Sequence, residues 1–329
     1  MKTWRQHELG EPLEVLVLDD IDPPEPAAGQ VLIEVAACSL NFPDALQCRG
    51  QYQERPELPF SPGMEASGIV RAVGEGVTLV APGQRVTALV SKPWGGLSEL
   101  AVAAEATTFP IPDSLGDAPA ATIPITYQTG WFGLYHRAAL QEGETLLVHA
   151  GAGGVGSAAI QLGLAAGATV IATAGGAEKV DVCRRLGAHH AIDYTAEDFV
   201  DVVKELTGGR GADVIYDPVG GDVFDRSRKV IAWEGRLVVV GFTSGRIPEV
   251  PANHILLKNY AVVGVHWGAY NRQNPALVRH CHDELMRLHE QGKIAPLLGK
   301  EVAFEDAPKA IDELASRATW GKVVVRPPV

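Results

Sequence analysis

A chain of 329 residues, 46% hydrophobic and 21% charged, holds enough apolar material for two globular domains and too much for a disordered protein. Its formal charge of -12 speaks against a polyanion-binding surface, so no nucleic-acid partner is expected. Its four cysteines, Cys38, Cys48, Cys183 and Cys281, form no C-x-x-C pair, which argues against a disulfide scaffold and a zinc ribbon. The opening MKTWRQHELGEP has no apolar core of a signal peptide, and no run of about 18 apolar residues follows. A cytoplasmic protein with reduced thiols and no membrane contact is the expectation, with an enzyme and a binding protein both open.

Taken in order, the first 120 residues read as short strands and turns. QVLIEVAACSL and ASGIVRAVGEGV are β-branched runs closed by glycine or proline, and PEPAAGQ, VAPGQRV and SKPWGGLSE carry turn residues. FPDALQC allows a short helix. After DAPAATIPITYQTGWFGLYHRAAL, strand and helix alternate: TLLVHA, GVGSAAIQLGLAAG, TVIATA, AEKVDVCRRLG, HAIDY, TAEDFVDVVKELTG, ADVIYD and GRLVVVGF. The sixth segment sets Phe199, Val202, Val203 and Leu206 on one face and offers Thr195 as N-cap. Such alternation predicts a parallel sheet covered by helices. PALVRHCHDELMRLHEQGKI then reads as a helix with Leu277, Cys281, Leu285 and Leu288 spaced for burial, and GKVVVRP as a last strand. Within it, His280, Cys281 and His282 are consecutive, so on a helix they point apart and make a poor metal site.

The segment LLVHAGAGGVGSAAIQLGLAAGATVIATAGG, residues 146–176, carries Gly151, Gly153 and Gly156 as G-x-G-x-x-G between a strand and a helix. Missing side chains let a pyrophosphate approach the backbone, and the helix N-terminus offers free N–H groups. The alternative is a purely structural turn. An NAD site normally places an acid at the end of the next strand to hold the ribose 2′-hydroxyl. Here Thr173, Ala174, Gly175 and Gly176 stand there, and no acid comes before Glu178. Lys179 follows, which favours a 2′-phosphate and therefore NADPH, unless Lys179 is an ordinary solvated lysine.

VAACSLNFPDALQCRGQY, LPFSPGMEASGIVRAVGEGV, PITYQTGWFGLYHRAAL, the glycine segment, LGAHHAIDY and FEDAPKAIDELASRATWGKVVV together span essentially the whole chain. In them the sequence resembles the medium-chain dehydrogenase/reductase superfamily, and within it the zinc-free NADPH:quinone oxidoreductase group. The resemblance implies an α/β protein: a GroES-like, β-rich catalytic domain plus a Rossmann nucleotide-binding domain. Residues 1–124 would form the first part of the catalytic domain, 125–266 the nucleotide domain, and 267–329 a part returning to the catalytic domain. It also implies a homodimer and a cleft between domains.

Zinc-dependent relatives carry a catalytic cysteine and a histidine in a G-H-E element. Here Cys38 holds the cysteine position but Met64 holds the histidine position, and residues 92–124 lack cysteine, so no metal is expected. The resemblance gives Asn41 of NFPD a place at the nicotinamide ribose, with Asp44 holding local geometry, and Thr129 a place beside the nicotinamide. It gives Lys179, Tyr194 and Arg317 to the adenosine 2′-phosphate. Gly151, Gly153, Gly154, Val155, Gly156, Thr173, Gly175, Gly220, Gly241 and Phe242 line the rest of the cofactor. Tyr52, Trp94, Trp131 and Trp267 are candidates to line a substrate pocket. Each side chain has a plain alternative: a helix cap for Asn41 and Thr129, a strand aromatic for Tyr194, a surface arginine for Arg317, core packing for the tryptophans. The implied activity is hydride transfer from NADPH to a quinone or another α,β-unsaturated carbonyl. An enoyl-CoA-type reductase and a non-catalytic NADPH-binding structural protein remain open beside it.

Overall fold

The computed structural model of the protein describes residues 1–53 and 55–328. The chain divides into two compact units, one of Met1–Ile125 with Pro296–Val329, the other of Thr126–Ala295. The N-terminal segment supplies β1 (Lys2–Gln6), β2 (Leu16–Asp20), β3 (Gln30–Ser39), β4 (Glu65–Val73), β5 (Arg85–Val90) and β6 (Leu100–Pro110). The second unit supplies β7 (Thr145–Val148), β8 (Thr169–Ala174), β9 (His190–Asp193), β10 (Ala212–Asp217), β11 (Ile231–Val239) and β12 (Ala261–Gly264). The chain re-enters the first unit with β13 (Leu298–Ala303) and β14 (Lys322–Arg326).

In the first unit, β1 and β2 form an antiparallel ribbon, and the main sheet runs β13-β14-β3-β4-β5-β6. β3 also pairs with β6, so the sheet curls back on itself. The apolar alternation of β3 explains its central place: Val31, Ile33 and Val35 are buried while Gln30, Leu32 and Glu34 are less so. Two buried clusters of this unit hold Val31, Ile33, Val70, Val86 and Ala103, and Val35, Cys38, Leu40, Phe304, Ile311 and Val325.

The second unit is a six-stranded parallel sheet in the order β12-β11-β10-β7-β8-β9. Helices at Gly154–Ala165, Ala177–Arg185, Phe199–Leu206, Gly221–Ser227 and Ala252–Lys258 make the crossovers. β10 is buried on both faces along Val214, Ile215 and Tyr216, as an apolar run requires in a covered sheet. The strand order reverses between β7 and β10, which is where doubly wound sheets open a crevice at their C-terminal ends.

Two expectations are corrected. The boundary between the units falls after Ala295, not after residue 266. The helix Pro275–Glu290 stays in the second unit, where His280 packs edge-on against Trp131 and the Gln161 side chain accepts from the Ala295 N–H at 2.6 Å. The cap of Phe199–Leu206 is Asp198, whose carboxylate accepts from the Val200 N–H, because Thr195 is spent on Asp193. Among the described residues no helix is long and apolar enough to cross a membrane.

Candidate functional site

The glycine turn follows β7 at the strand reversal. Gly151 N–H donates to the Thr173 carbonyl at 2.9 Å, and Gly153 N–H to the Ala150 carbonyl, which sets the path into the helix Gly154–Ala165. A Cβ at Gly156 would collide with the Ala150 carbonyl oxygen, so the helix can start this close to the turn only with glycine there. Gly153 offers no capping side chain, and the first-turn N–H groups of Gly154, Val155 and Gly156 have no carbonyl to meet within the helix. That bare N-terminus beside a side-chain-free turn fits a pyrophosphate.

The ends of the neighbouring strands complete a seat around it. The Tyr194 ring lies against Gly175, its hydroxyl where a Cβ would come within 2.6 Å, and Tyr194 is otherwise exposed. Lys179 is half-buried at the third position of Ala177–Arg185. After β10, the Asp217 carboxylate accepts from the N–H groups of Val219 and Gly220 at 2.7 and 3.0 Å, shaping the DPVGG turn. Burial pushes the Asp217 carboxyl above the usual carboxylate range. Gly220, at φ 70°, packs under the partly exposed Phe242, and Gly241 sits beside the Pro218 carbonyl. The cofactor candidates other than Arg317, which lies in the first unit, therefore sit at or after the C-terminal ends of β7 to β11, the C-terminal edge of the second unit's sheet.

Two features of this edge were not legible in the sequence. Thr173 does not offer its hydroxyl outward: it bonds His149 Nδ1 at 3.0 Å, while His149 Nε2 meets Ser227 Oγ at 2.8 Å. Ser227 Oγ in turn donates to the Val223 carbonyl, so His149 must donate from Nε2 and accept at Nδ1. Burial lowers its pKa to about 3, keeping it neutral. Asp193, at the end of β9, brings a carboxylate beside Gly176, an acid that the end of β8 lacks. Its Oδ1 accepts from the Thr195 hydroxyl, the Gly176 N–H and the Thr195 N–H at 2.6, 2.9 and 3.0 Å, and these bonds hold its pKa below the usual range.

In the first unit, Asn41 stands at the N-cap of the helix Phe42–Cys48 with its main-chain carbonyl accepting from the Asp44 N–H at 2.9 Å, and the Asp44 carboxylate accepts from the Asn41 N–H at 2.7 Å and the Gly63 N–H at 3.0 Å. Asp44 thus holds local geometry, and its burial raises its pKa. Asn41 also enters a buried network with Ser39, Glu65 and Lys322, and neither Glu65 nor Lys322 stands out in the sequence. Strand pairing explains the meeting: Ser39 at the end of β3 lies opposite Glu65 of β4 on one side and Val324 of β14 on the other. The Cys38 thiol is buried under Gly63 and Gly96, with burial raising its pKa well above the ordinary thiol range. Met64 is half-buried next to it in sequence order after Gly63. Among the described residues no three His, Cys, Asp or Glu side chains are grouped to hold a metal ion.

The remaining candidates fall as follows. Thr129 is buried in the helical turn Gln128–Trp131 of the second unit. Arg317 is exposed in the first unit, in the left-handed conformation at φ 60° just after the helix Ala307–Ala315. Trp131 is buried against Phe132, Tyr135 and His280, which is core packing. Trp267 begins a short 3-10 turn and is half-buried, as are Tyr52 and Trp94 in the first unit.

Comparison with known proteins extends these observations. The family description "Alcohol dehydrogenase GroES-like domain" matches residues 27–113, and "Zinc-binding dehydrogenase" matches residues 154–283. The chain is 41% identical over 320 residues, 97% of its length and 87% of the relative's, to the quinone oxidoreductase-like protein 2 homolog of Nematostella vectensis. It superposes on the Escherichia coli quinone oxidoreductase complexed with NADPH with a TM-score of 0.90 at 31% identity, covering 99% and 100% of the two chains. Mycobacterial Rv1454c complexed with NADPH gives 0.91 at 32% identity, with the same coverage.

Proposed function

This chain belongs to the quinone oxidoreductase-like group of the medium-chain dehydrogenase/reductase superfamily, and on that premise we propose that it is an NADPH-dependent reductase of quinones or related α,β-unsaturated carbonyls. The observation that carries the reading is the glycine turn at the strand reversal, closed to any side chain at Gly156, with Tyr194 against Gly175 after β8 and Phe242 against Gly220 after β10. NADPH, seated there, supplies a hydride from nicotinamide C4 and accepts no help from a metal in this reading. Gly154, Val155 and Gly156 hold the pyrophosphate through backbone N–H groups; Lys179 and Tyr194 hold the 2′-phosphate. Asn41 and Thr129 orient the nicotinamide end, and neither is a group that titrates near neutral pH. Two similar proteins whose structures contain NADPH support the choice of cofactor.

Lys179 sets the cofactor preference in this reading, since Asp193 has its facing oxygen committed to three donors. A charge-assisted bond contributes about 1.5–3 kcal/mol, roughly tenfold to a hundredfold in affinity. Titration of Lys179→Ala with both cofactors is expected to weaken NADPH by that factor and leave NADH nearly unchanged. Equal losses for the two would remove Lys179 from the phosphate site.

The donor set supports the reading that no metal takes part. Cys38 is packed under backbone on two sides, and the position after Gly63 offers a thioether rather than an imidazole. Turnover of a simple quinone with NADPH is expected to survive exhaustive chelation; zinc at one per chain and required for turnover would overturn the reading. The four buried, unpaired cysteines suit a reducing compartment, and we place the protein in the cytoplasm as a homodimer.

A further inference from the structure

The buried network around Asn41 has a definite hydrogen-bond count. Lys322 Nζ has three protons, and the structure gives each an acceptor: Asn41 Oδ1 at 2.6 Å, the Leu40 carbonyl at 2.7 Å and Glu65 Oε1 at 3.1 Å. Glu65 Oε1 also accepts from Ser39 Oγ at 2.8 Å and Asn41 Nδ2 at 2.9 Å, and Oε2 accepts from the Ile125 N–H at 2.8 Å. The second proton of Asn41 Nδ2 points to the Ser39 carbonyl at 3.3 Å. Every donor in the cluster is therefore committed. Its spare capacity is acceptor capacity, and on Asn41 that is the second lone pair of Oδ1.

The charges also decide which way the amide faces. Rotating it by half a turn would set Nδ2 against the Lys322 ammonium and Oδ1 against the Glu65 carboxylate, two repulsive contacts in a site where Glu65 is fully buried and Lys322 is 5% exposed. We propose that the Lys322–Glu65 pair is a positioning device for Asn41, locking its amide so that it meets the nicotinamide end of the cofactor as a hydrogen-bond acceptor and not as a donor. This rests on the reading that places Asn41 at that end. Lys322 and Glu65 touch no reacting atom in it; they act through Asn41.

Binding, rather than turnover, tests this. Dissociation constants for NADPH and for adenosine 2′,5′-bisphosphate, which lacks the nicotinamide and its ribose, are measured on Asn41→Ala, on the charge-free pair Glu65→Gln/Lys322→Met, and on the triple variant. The paired variant leaves no lone buried charge, so it stands in if Lys322→Met alone fails to fold. Loss of one neutral hydrogen bond predicts that NADPH weakens about three- to tenfold in Asn41→Ala. The paired variant is expected to match that loss, the triple variant to add nothing, and adenosine 2′,5′-bisphosphate to bind all of them like wild type. Wild-type NADPH affinity in the paired variant, with Asn41→Ala weakened, would overturn the positioning role while leaving Asn41 in the site. No weakening in Asn41→Ala would overturn the underlying reading and this one with it. The donor question is settled separately by 15N-asparagine NMR: both Nδ2 protons should exchange slowly with water before NADPH is added. Fast exchange of either proton, slowed by NADPH, would make Asn41 a donor and overturn the acceptor assignment.

Discussion

His149 shows how a single buried side chain ties pH to stability. Its ring is closed in by Thr173, Ser227 and the edge of Phe199, and burial holds its pKa at about 3 against 6.5 for a free imidazole. The native pKa is depressed, so below pH 6.5 the unfolded chain takes up a proton that the native chain refuses. Stability is lost as pH falls through that window, at about 1.4 kcal/mol per pH unit. From pH 7 to pH 5 the contribution is about 2 kcal/mol. His149→Gln keeps an acceptor for Thr173 and a donor for Ser227, and urea unfolding at the two pH values should show its acid loss smaller than wild type by that amount. Equal losses in both proteins would mean that His149 is protonated in the native state. None of this was legible in the sequence, where His149 is one letter after a strand and its partners lie 24 and 78 positions away. Glu65 and Lys322, 257 positions apart, were hidden for the same reason: strand pairing, not local pattern, brings them together. The N-cap position of Asn41 and the glycine turn are legible because each is set by local sequence.

At the scale of elements, alternation of period and punctuation carried most of the second unit. The strands and crossover helices from β7 to β11 follow the predicted order because each apolar run is bounded by glycine or by a polar cap. β12 went unread: four residues, with Ala261 and Gly264 exposed, make too short a signal. The helix Pro275–Glu290 is legible as a helix but its place in the second unit is not, because an apolar stripe states that a face is buried but not against which core. The glycine turn is the element on which the proposed cofactor site rests, and Gly156→Ala tests it. The added Cβ meets backbone, which cannot rotate away, so either the turn or the helix start must shift. Such overpacking costs about 1–3 kcal/mol. Chemical denaturation should show that loss, and titration should show NADPH binding weakened with it. A variant with wild-type stability and wild-type affinity would show that the turn is looser than described and would detach the pyrophosphate from it.

For the whole molecule the open question is assembly, and the second unit's outer edge bears on it. β12 is the last strand of the parallel sheet, and such an edge carries backbone groups that invite another strand. Beside it the helix Ala252–Lys258 buries none of its residues, leaving Leu256 and Leu257 at 74% and 71% exposed, with Ile247 at 72% on the preceding segment. Large aliphatic side chains grouped this way are a liability in a monomer and an asset at an interface. A two-fold axis at the edge would set β12 antiparallel to its copy and cover the leucines with the partner's same patch, which is how an isologous contact closes. Replacing Leu256 and Leu257 by aspartate places like charges on both sides of that axis while disturbing no buried side chain of the chain itself. Sedimentation equilibrium is therefore expected to show a dimer for the wild-type protein and a monomer for Leu256→Asp/Leu257→Asp, with far-ultraviolet circular dichroism unchanged. A wild-type monomer, or a dimer that survives both substitutions, would take this edge out of the assembly.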